Sequence, residues 1–225
     1  MIYLLFVAIA AVSTIAILLF TSRMGAVDPG AKINIYKKSK DDIIPFSGSK
    51  LILITMICFV VATILQISLY KNTTIVSFIK LFVLFVIVAA AAIVDYKRKI
   101  IPNALVIFGL VFRVGVYAYE IFSKADIKSI LINDLIGLAV GFGILAIVSL
   151  ITKGSVGFGD AKLFGIIGII GGSFCTYSTL LVSLIISTVV SLIGLARKKI
   201  GRKDSIPFGP CIAAGYVIVL LLTSY

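Results

Sequence analysis

Apolar runs of membrane-spanning length recur along this whole chain, and that recurrence constrains its fold more than any motif. Candidate spans cover 2–20, 51–70, 75–94, 100–122 and 131–152, then a short helix at 161–171, another at 173–196 and a last at 207–224. A run of roughly 18 apolar residues can cross a bilayer, where helical backbone satisfies its own hydrogen bonds. The expected fold is all-α: a polytopic membrane protein of about eight transmembrane helices, forming one membrane domain over 1–225. Charged residues make up 13% of the chain, against about 25% in soluble domains. No polar stretch is long enough for a separate soluble domain.

The first run has no basic residue before it, and its first cation, Arg23, follows it. It therefore reads as a retained span with its N-terminus outside, not as a cleaved signal peptide.

Loop charge sets the expected orientation. Segment 21–50 is a short basic loop carrying Arg23, Lys32, Lys37, Lys38, Lys40 and Lys50. Lys97, Arg98 and Lys99 follow the third span, and Arg197, Lys198, Lys199, Arg202 and Lys203 precede the last. The alternate loops carry few cations. These basic segments belong on the cytoplasmic side, with both termini outside and the protein in a prokaryotic plasma membrane. The net charge of +12 is mainly a topology signal, with contact to anionic membrane lipids as a further use. No nucleic-acid partner is expected, because no basic folded surface exists to carry one.

Three cysteines, Cys58, Cys175 and Cys211, stand singly among apolar residues, and there is no histidine. A Cys/His zinc site or Cys/His nucleophile pair is excluded on ligand supply. No metal and no cofactor are expected.

Of the nine acids, Asp28, Asp41, Asp42 and Asp204 lie in basic loops, and Glu120, Asp126 and Asp134 lie near the outer face. Asp95 and Asp160 differ, because each abuts an apolar helix directly, and helix counting puts both on the cytoplasmic side. A bland reading exists for each. Asp95 is a juxtamembrane acid neutralised by Lys97, Arg98 or Lys99; Asp160 is an N-cap. Paired, they can do more. Two adjacent carboxyl groups share a proton, so one acts as base on a water while the other acts as acid on a carbonyl. Peptide hydrolysis needs only those groups and the water. Glycines beside them let a second carboxylate or a substrate backbone approach closely.

Asp95 followed by Ile101, Pro102 and Asn103, then GFGDAK from Gly157 to Lys162, then IPFGP from Ile206 to Pro210, resembles the type IV prepilin peptidases, which are GxGD-type membrane aspartyl proteases. The motifs keep the family's order and define an expected peptidase core over 75–225. The resemblance implies Asp95 and Asp160 as the catalytic pair. It implies Pro102, Asn103, Gly157, Gly159, Lys162, Pro207, Phe208, Gly209 and Pro210 as substrate-binding or site-lining residues. It also implies cleavage of prepilin, preflagellin or pseudopilin leaders at the cytoplasmic face, just before an apolar helix. Many members carry two CxxC pairs in the first cytoplasmic loop and methylate the new N-terminus with S-adenosylmethionine. Loop 21–50 has no cysteine, so the resemblance is to the shorter members and methyl transfer is not expected.

Asp160 begins a helix and Asp95 ends one. The helix dipole favours charge on the first by about 0.3–1 kcal/mol and disfavours it on the second. Asp160 is therefore expected to be the more acidic, with the shared proton on Asp95. Lys162 is expected to help Asp160, although i and i+2 do not face each other on a regular helix. Arg113 is expected to pair with Glu120 or Asp134, Lys80 to snorkel, and Tyr70, Tyr117 and Tyr119 to form an interfacial belt. Glycines at 137, 141, 143, 165, 168, 171 and 172 suggest close helix packing. Two other classes compete. A small ion-coupled transporter would place its acids near mid-span and show inverted repeats, neither of which is evident. A structural subunit would leave the GxGD and PFGP strings without a use.

Overall fold

The computed structural model describes residues 74–151, 157–197 and 207–222. The expected spans 2–20 and 51–70, Tyr70, Cys58, loop 21–50 and most of the basic segment 197–206 lie outside the described residues. Within them every regular element is helical: α1 Ile75–Arg98, α2 Asn103–Phe122, α3 Ile127–Leu138, a π-helical turn Ala139–Gly143, α4 Ile144–Ile151, α5 Phe158–Ala196 and α6 Gly209–Leu222. Among the described residues, four segments are long and apolar enough to cross a membrane: Ile75–Tyr96, Asn103–Phe122, Ile127–Ile151 and Phe158–Ala196. The protein is an all-α, multi-pass membrane protein.

Local chemistry sets the ends. Thr74 caps α1, its hydroxyl accepting from the Ser77 N–H, and Asp126 caps α3 through the Ser129 N–H. At the other end of α1, Lys99 adopts the left-handed conformation (φ 54°) and its N–H returns to the Asp95 carbonyl at 2.7 Å. That closure ends the helix one turn beyond Asp95. Pro102 then cannot continue a helix from the preceding residue, so α2 starts at Asn103 rather than at 100. Helix α3 starts earlier than expected, at Ile127, because Asp126 supplies its cap.

Helix α5 has 39 residues. As one rod it would measure roughly 58 Å, about twice the hydrocarbon thickness. It folds back instead at Gly172, whose φ of 76° and ψ of −178° are not helical. Contacts along α6 show the reversal. Phe208, just before α6, stacks on Phe164, whereas Gly215, further along, abuts Ser183 and Cys211 meets Ser187. The second half of α5 therefore runs antiparallel to α6, and Phe164 and Ser187 lie at one level. The expected division into 161–171 and 173–196 is correct, with the first helix beginning three residues earlier at Phe158.

A broken helix inside a membrane needs partners for the freed backbone groups. Asn133 Oδ1 accepts from the Ser173 N–H at 3.2 Å and the Ser173 hydroxyl at 2.5 Å, and the Thr176 hydroxyl donates to the Gly172 carbonyl at 2.7 Å. Glycine is needed at 172 for its φ.

The first half of α5 packs backbone to backbone against α3. A Cβ on Gly168 would lie 2.3 Å from the Gly137 carbonyl carbon, and one on Gly141 would lie 2.6 Å from the Phe164 carbonyl oxygen. These contacts bear out the packing expected of Gly137, Gly141 and Gly168. Gly143 is different: nothing lies within 4 Å of its Cβ position. Gly168→Ala should therefore cost about 1–3 kcal/mol by overpacking. Gly143→Ala should gain about 0.8–1 kcal/mol from helix propensity. Thermal melts in detergent check both; equal melting temperatures for the two variants would contradict this packing.

Three charged residues toward the far end from Asp95, namely Arg113, Glu120 and Asp134, are buried. Arg113 is buried and its guanidinium reaches both Asp134 and Glu120, with Nε to Asp134 Oδ2 at 3.0 Å and Nη1 to Glu120 Oε2 at 3.1 Å. The expected pairing thus holds with both acids at once. Lys80 does not snorkel; it pairs with Glu120 at 3.2 Å. Tyr117 is not a belt residue, because its hydroxyl donates to Asp134 at 2.7 Å while its ring faces Arg113. Tyr119 is exposed. Three helices, α1, α2 and α3, are tied at this end by one charge-balanced cluster.

Candidate active site

The opposite end of the bundle collects the last turn of α1 and the first turns of α2, α5 and α6. Three helix N-termini thus face one C-terminus. The partial positive charge of helix N-termini favours anions, and two acids are what this end holds. Asp95 and Asp160 are both buried, at 6% and 8% exposure, and they lie close enough to interact electrostatically. Burial of an unpaired carboxylate is costly, so each needs local support.

Asp95 takes its support from a distant part of the chain. The Gly209 N–H, at the start of α6, donates to Asp95 Oδ2 at 2.7 Å. The approach requires glycine, since a Cβ at 209 would lie 2.8 Å from Asp95 Cβ and 3.2 Å from Ala92 Cα. Pro210 in the first turn of α6 has no N–H to leave unsatisfied. Phe208, just ahead, stacks on Phe164 of α5 with ring centroids 6.3 Å apart, which fixes where the α6 N-terminus lies. Pro207 is half-buried beside it. Gly209→Ala should displace the Asp95 carboxyl and destabilise by about 1–3 kcal/mol. An unchanged melting temperature in detergent would argue against this contact.

Asp160 belongs to the first turn of α5, and Gly157 is the N-cap residue. The Asp160 N–H donates to the Gly157 carbonyl at 3.0 Å. Asp160 is thus inside the helix and is not its N-cap, although its carboxyl accepts from the Gly157 N–H and so still helps close the first turn. The two motif glycines do different work. A Cβ on Gly157 would stand 3.0 Å from Asp160 Oδ2, so glycine keeps one side of that carboxyl open. A Cβ on Gly159 would press on Ile101 Cβ at 3.2 Å, so glycine there lets the α1–α2 loop close onto α5.

Lys162 does not turn back to Asp160. Its ammonium lies 5.8 Å from the centre of the Phe158 ring and donates to Asn103 Oδ1 at 2.9 Å. Pro102 precedes that asparagine as the N-cap residue of α2, with no side-chain cap. Every residue expected at the site is therefore at this end, and each of the three motifs touches another. Sequence reasoning missed two features: the Gly209 amide as the partner of Asp95, and Phe164 as the support for Phe208. Spacing carries no sign of a contact made across 114 residues, and Phe164 is one apolar residue among many.

The arrangement is two buried acids within electrostatic range of each other, open on a glycine side, with backbone donors near them and a rim of polar side chains. Chemically it suits water activation and proton transfer to a leaving group.

Comparison with known proteins points the same way. The model of the type IV leader peptidase family matches residues 81–192, which include both acids. The prepilin leader peptidase/N-methyltransferase of Bacillus subtilis is 32% identical over 130 residues, covering 58% of this chain and 50% of that protein. That of Stutzerimonas stutzeri is 28% identical over 133 residues, covering 58% and 45%. That of Pseudomonas putida is 26% identical over 133 residues, covering 58% and 46%. The chain spans about half the length of the curated relatives it matches. No solved structure matches it.

Proposed function

We propose that this chain, which belongs to the type IV leader peptidase family, is a membrane aspartic endopeptidase that removes the leader peptide of prepilin-like or pseudopilin-like substrates. The observation that carries this is the convergence of Asp95 and Asp160, buried and within electrostatic range, at one end of the helical bundle.

A water between the two carboxyl groups loses a proton to one of them as its oxygen attacks the scissile carbonyl carbon. The other carboxyl donates its proton toward the carbonyl oxygen, giving a tetrahedral diol. The carbon–nitrogen bond then breaks as a proton passes to the leaving nitrogen. The helix-dipole argument put the resting proton on Asp95. The Gly209 N–H at 2.7 Å opposes it. A hydrogen bond to a charged group is worth about 1.5–3 kcal/mol, against about 0.3–1 kcal/mol for the dipole. Among the described residues Asp95 takes a second amide, that of Phe208, whereas Asp160 takes only that of Gly157; the extra donor outweighs the dipole, so we assign the charge to Asp95 and the resting proton to Asp160. Asp95 is then the base and Asp160 the acid, within a pair that titrates as a unit.

Loop charge supports an active site facing the cytoplasm and both termini outside, in a prokaryotic plasma membrane. The same basic segments support contact with anionic lipid. The peptidase core of 75–225 is the part to which these roles belong, within a single membrane domain. The proposal covers peptide cleavage alone, because loop 21–50 has no cysteine and so gives methyl transfer no support. A transporter is not favoured, since both acids lie at helix ends and not at mid-span.

The test is purified protein in lipid vesicles with a prepilin-like substrate. A new N-terminus at the leader boundary, located by mass spectrometry, supports the proposal; substrate left intact by active, folded protein overturns it.

A further inference from the structure

Lys162 and Asn103 come from different motifs and meet at the rim of the site, with Nζ to Oδ1 at 2.9 Å. The chemistry of this contact fixes the orientation of the asparagine amide. An ammonium offers three donors and no acceptor. The amide must therefore turn its oxygen toward Lys162, and its two N–H donors away. Lys162 is itself held, by the face of Phe158, an arrangement a cation favours. Asn103 is exposed at the first position of α2. Among the described residues, no hydrogen bond takes up its N–H groups. Two positions before it, Ile101 lies against Gly159, the neighbour of Asp160. The segment that carries Asn103 is thus packed on the turn that carries Asp160.

A peptide entering a hydrolytic site must be extended, so its main-chain carbonyls need donors from the protein. We infer that Asn103 binds a main-chain carbonyl of the extended substrate through its side-chain amide, and that Lys162 is a positioning residue holding that amide outward. This rests on the endopeptidase reading of the site. It gives the Lys162 ammonium a task other than supporting Asp160, and it gives the asparagine a task beyond starting a helix.

The alternative is a clasp that only holds the α1–α2 loop on α5. Asn103→Asp separates the two. It keeps an acceptor for Lys162, strengthens the contact to a charge-assisted one, and removes both donors. A donor role predicts a rise in KM of about three- to tenfold, the loss of one hydrogen bond, with kcat little changed. A clasp predicts KM at or below the starting value. Asn103→Leu also lacks the donors and adds no charge beside the acids, so a rise shared by both variants isolates the missing donor. Lys162→Met should raise KM in the parent and add nothing in the Asn103→Asp background. The inference is overturned when the parent protein cleaves and Asn103→Asp and Asn103→Leu keep its KM, or when Lys162→Met adds its full effect to Asn103→Asp. A parent protein that does not cleave, or an Asp160→Asn variant that still does, instead overturns the endopeptidase reading. Melting temperatures measured in parallel show that each variant is folded.

Discussion

Asp95→Asn and Asp160→Asn should each lower cleavage by about 10²–10⁴-fold, the usual worth of a positioned acid or base, while leaving the protein folded. Asparagine is nearly isosteric with aspartate and keeps an oxygen that can accept a hydrogen bond. At position 95 that oxygen still meets the Gly209 N–H, so α6 stays in place. What is lost is the ability to take or give a proton. Because the two groups act as a unit, the double variant should be little worse than either single one.

Stability should order the two variants. Asparagine resembles a protonated carboxyl. If Asp160 carries the resting proton, Asp160→Asn exchanges one neutral group for another and changes little. Asp95→Asn, by contrast, gives up the charge that strengthens the Gly209 bond. The melting temperature of Asp160→Asn should exceed that of Asp95→Asn, and the reverse order would put the proton on Asp95. Retention of full cleavage by either variant would remove that residue from the mechanism.

The largest effect on stability is expected far from the chemistry. Arg113→Ala should cost about 3–5 kcal/mol, the penalty for breaking a buried ion pair on one side. Arg113 is 1% exposed and serves Asp134 and Glu120 together. Without it Asp134 keeps only the Tyr117 hydroxyl, and Glu120 keeps only Lys80. Arg113→Lys should recover part of the loss, because a single ammonium cannot reproduce the fork that meets two acids. Arg113→Met combined with Asp134→Leu should be less damaging than Arg113→Ala, since it leaves no new unpaired charge on α3. Thermal or denaturant unfolding in detergent would show the order, and cleavage per folded molecule should hardly change. A melting temperature for Arg113→Ala equal to that of the parent would contradict the cluster's structural role.

The cluster also shows where one-dimensional reading stops. Arg113 could be paired with Glu120 or Asp134 from helix counting, but not with both. Lys80 looked like a side chain free to reach the interface, and Tyr117 like an interfacial aromatic. Each is instead consumed by a partner on another helix. The choice depends on how α1, α2 and α3 rotate about their axes, and hydropathy of nearly uniform helices says little about rotation.

The helices of the described region were legible because bilayer length and apolarity are properties of the local sequence. The break at Gly172 was legible too, since two apolar segments meet at adjacent glycines there. The level of Asp95 and Asp160 followed from counting spans, and the GFGDAK and PFGP strings marked the residues around them. Sequence alone therefore determined a helical membrane protein with two acids at one end. Tertiary structure decided which groups those acids touch. It brought the Gly209 amide onto Asp95 across 114 residues, turned Lys162 from Asp160 to Asn103, and gave Gly157 and Gly159 separate tasks. The physical reason is range. Apolarity and helix length act within a segment, whereas hydrogen bonds and close contacts act over about 3 Å and exist only once the helices are packed.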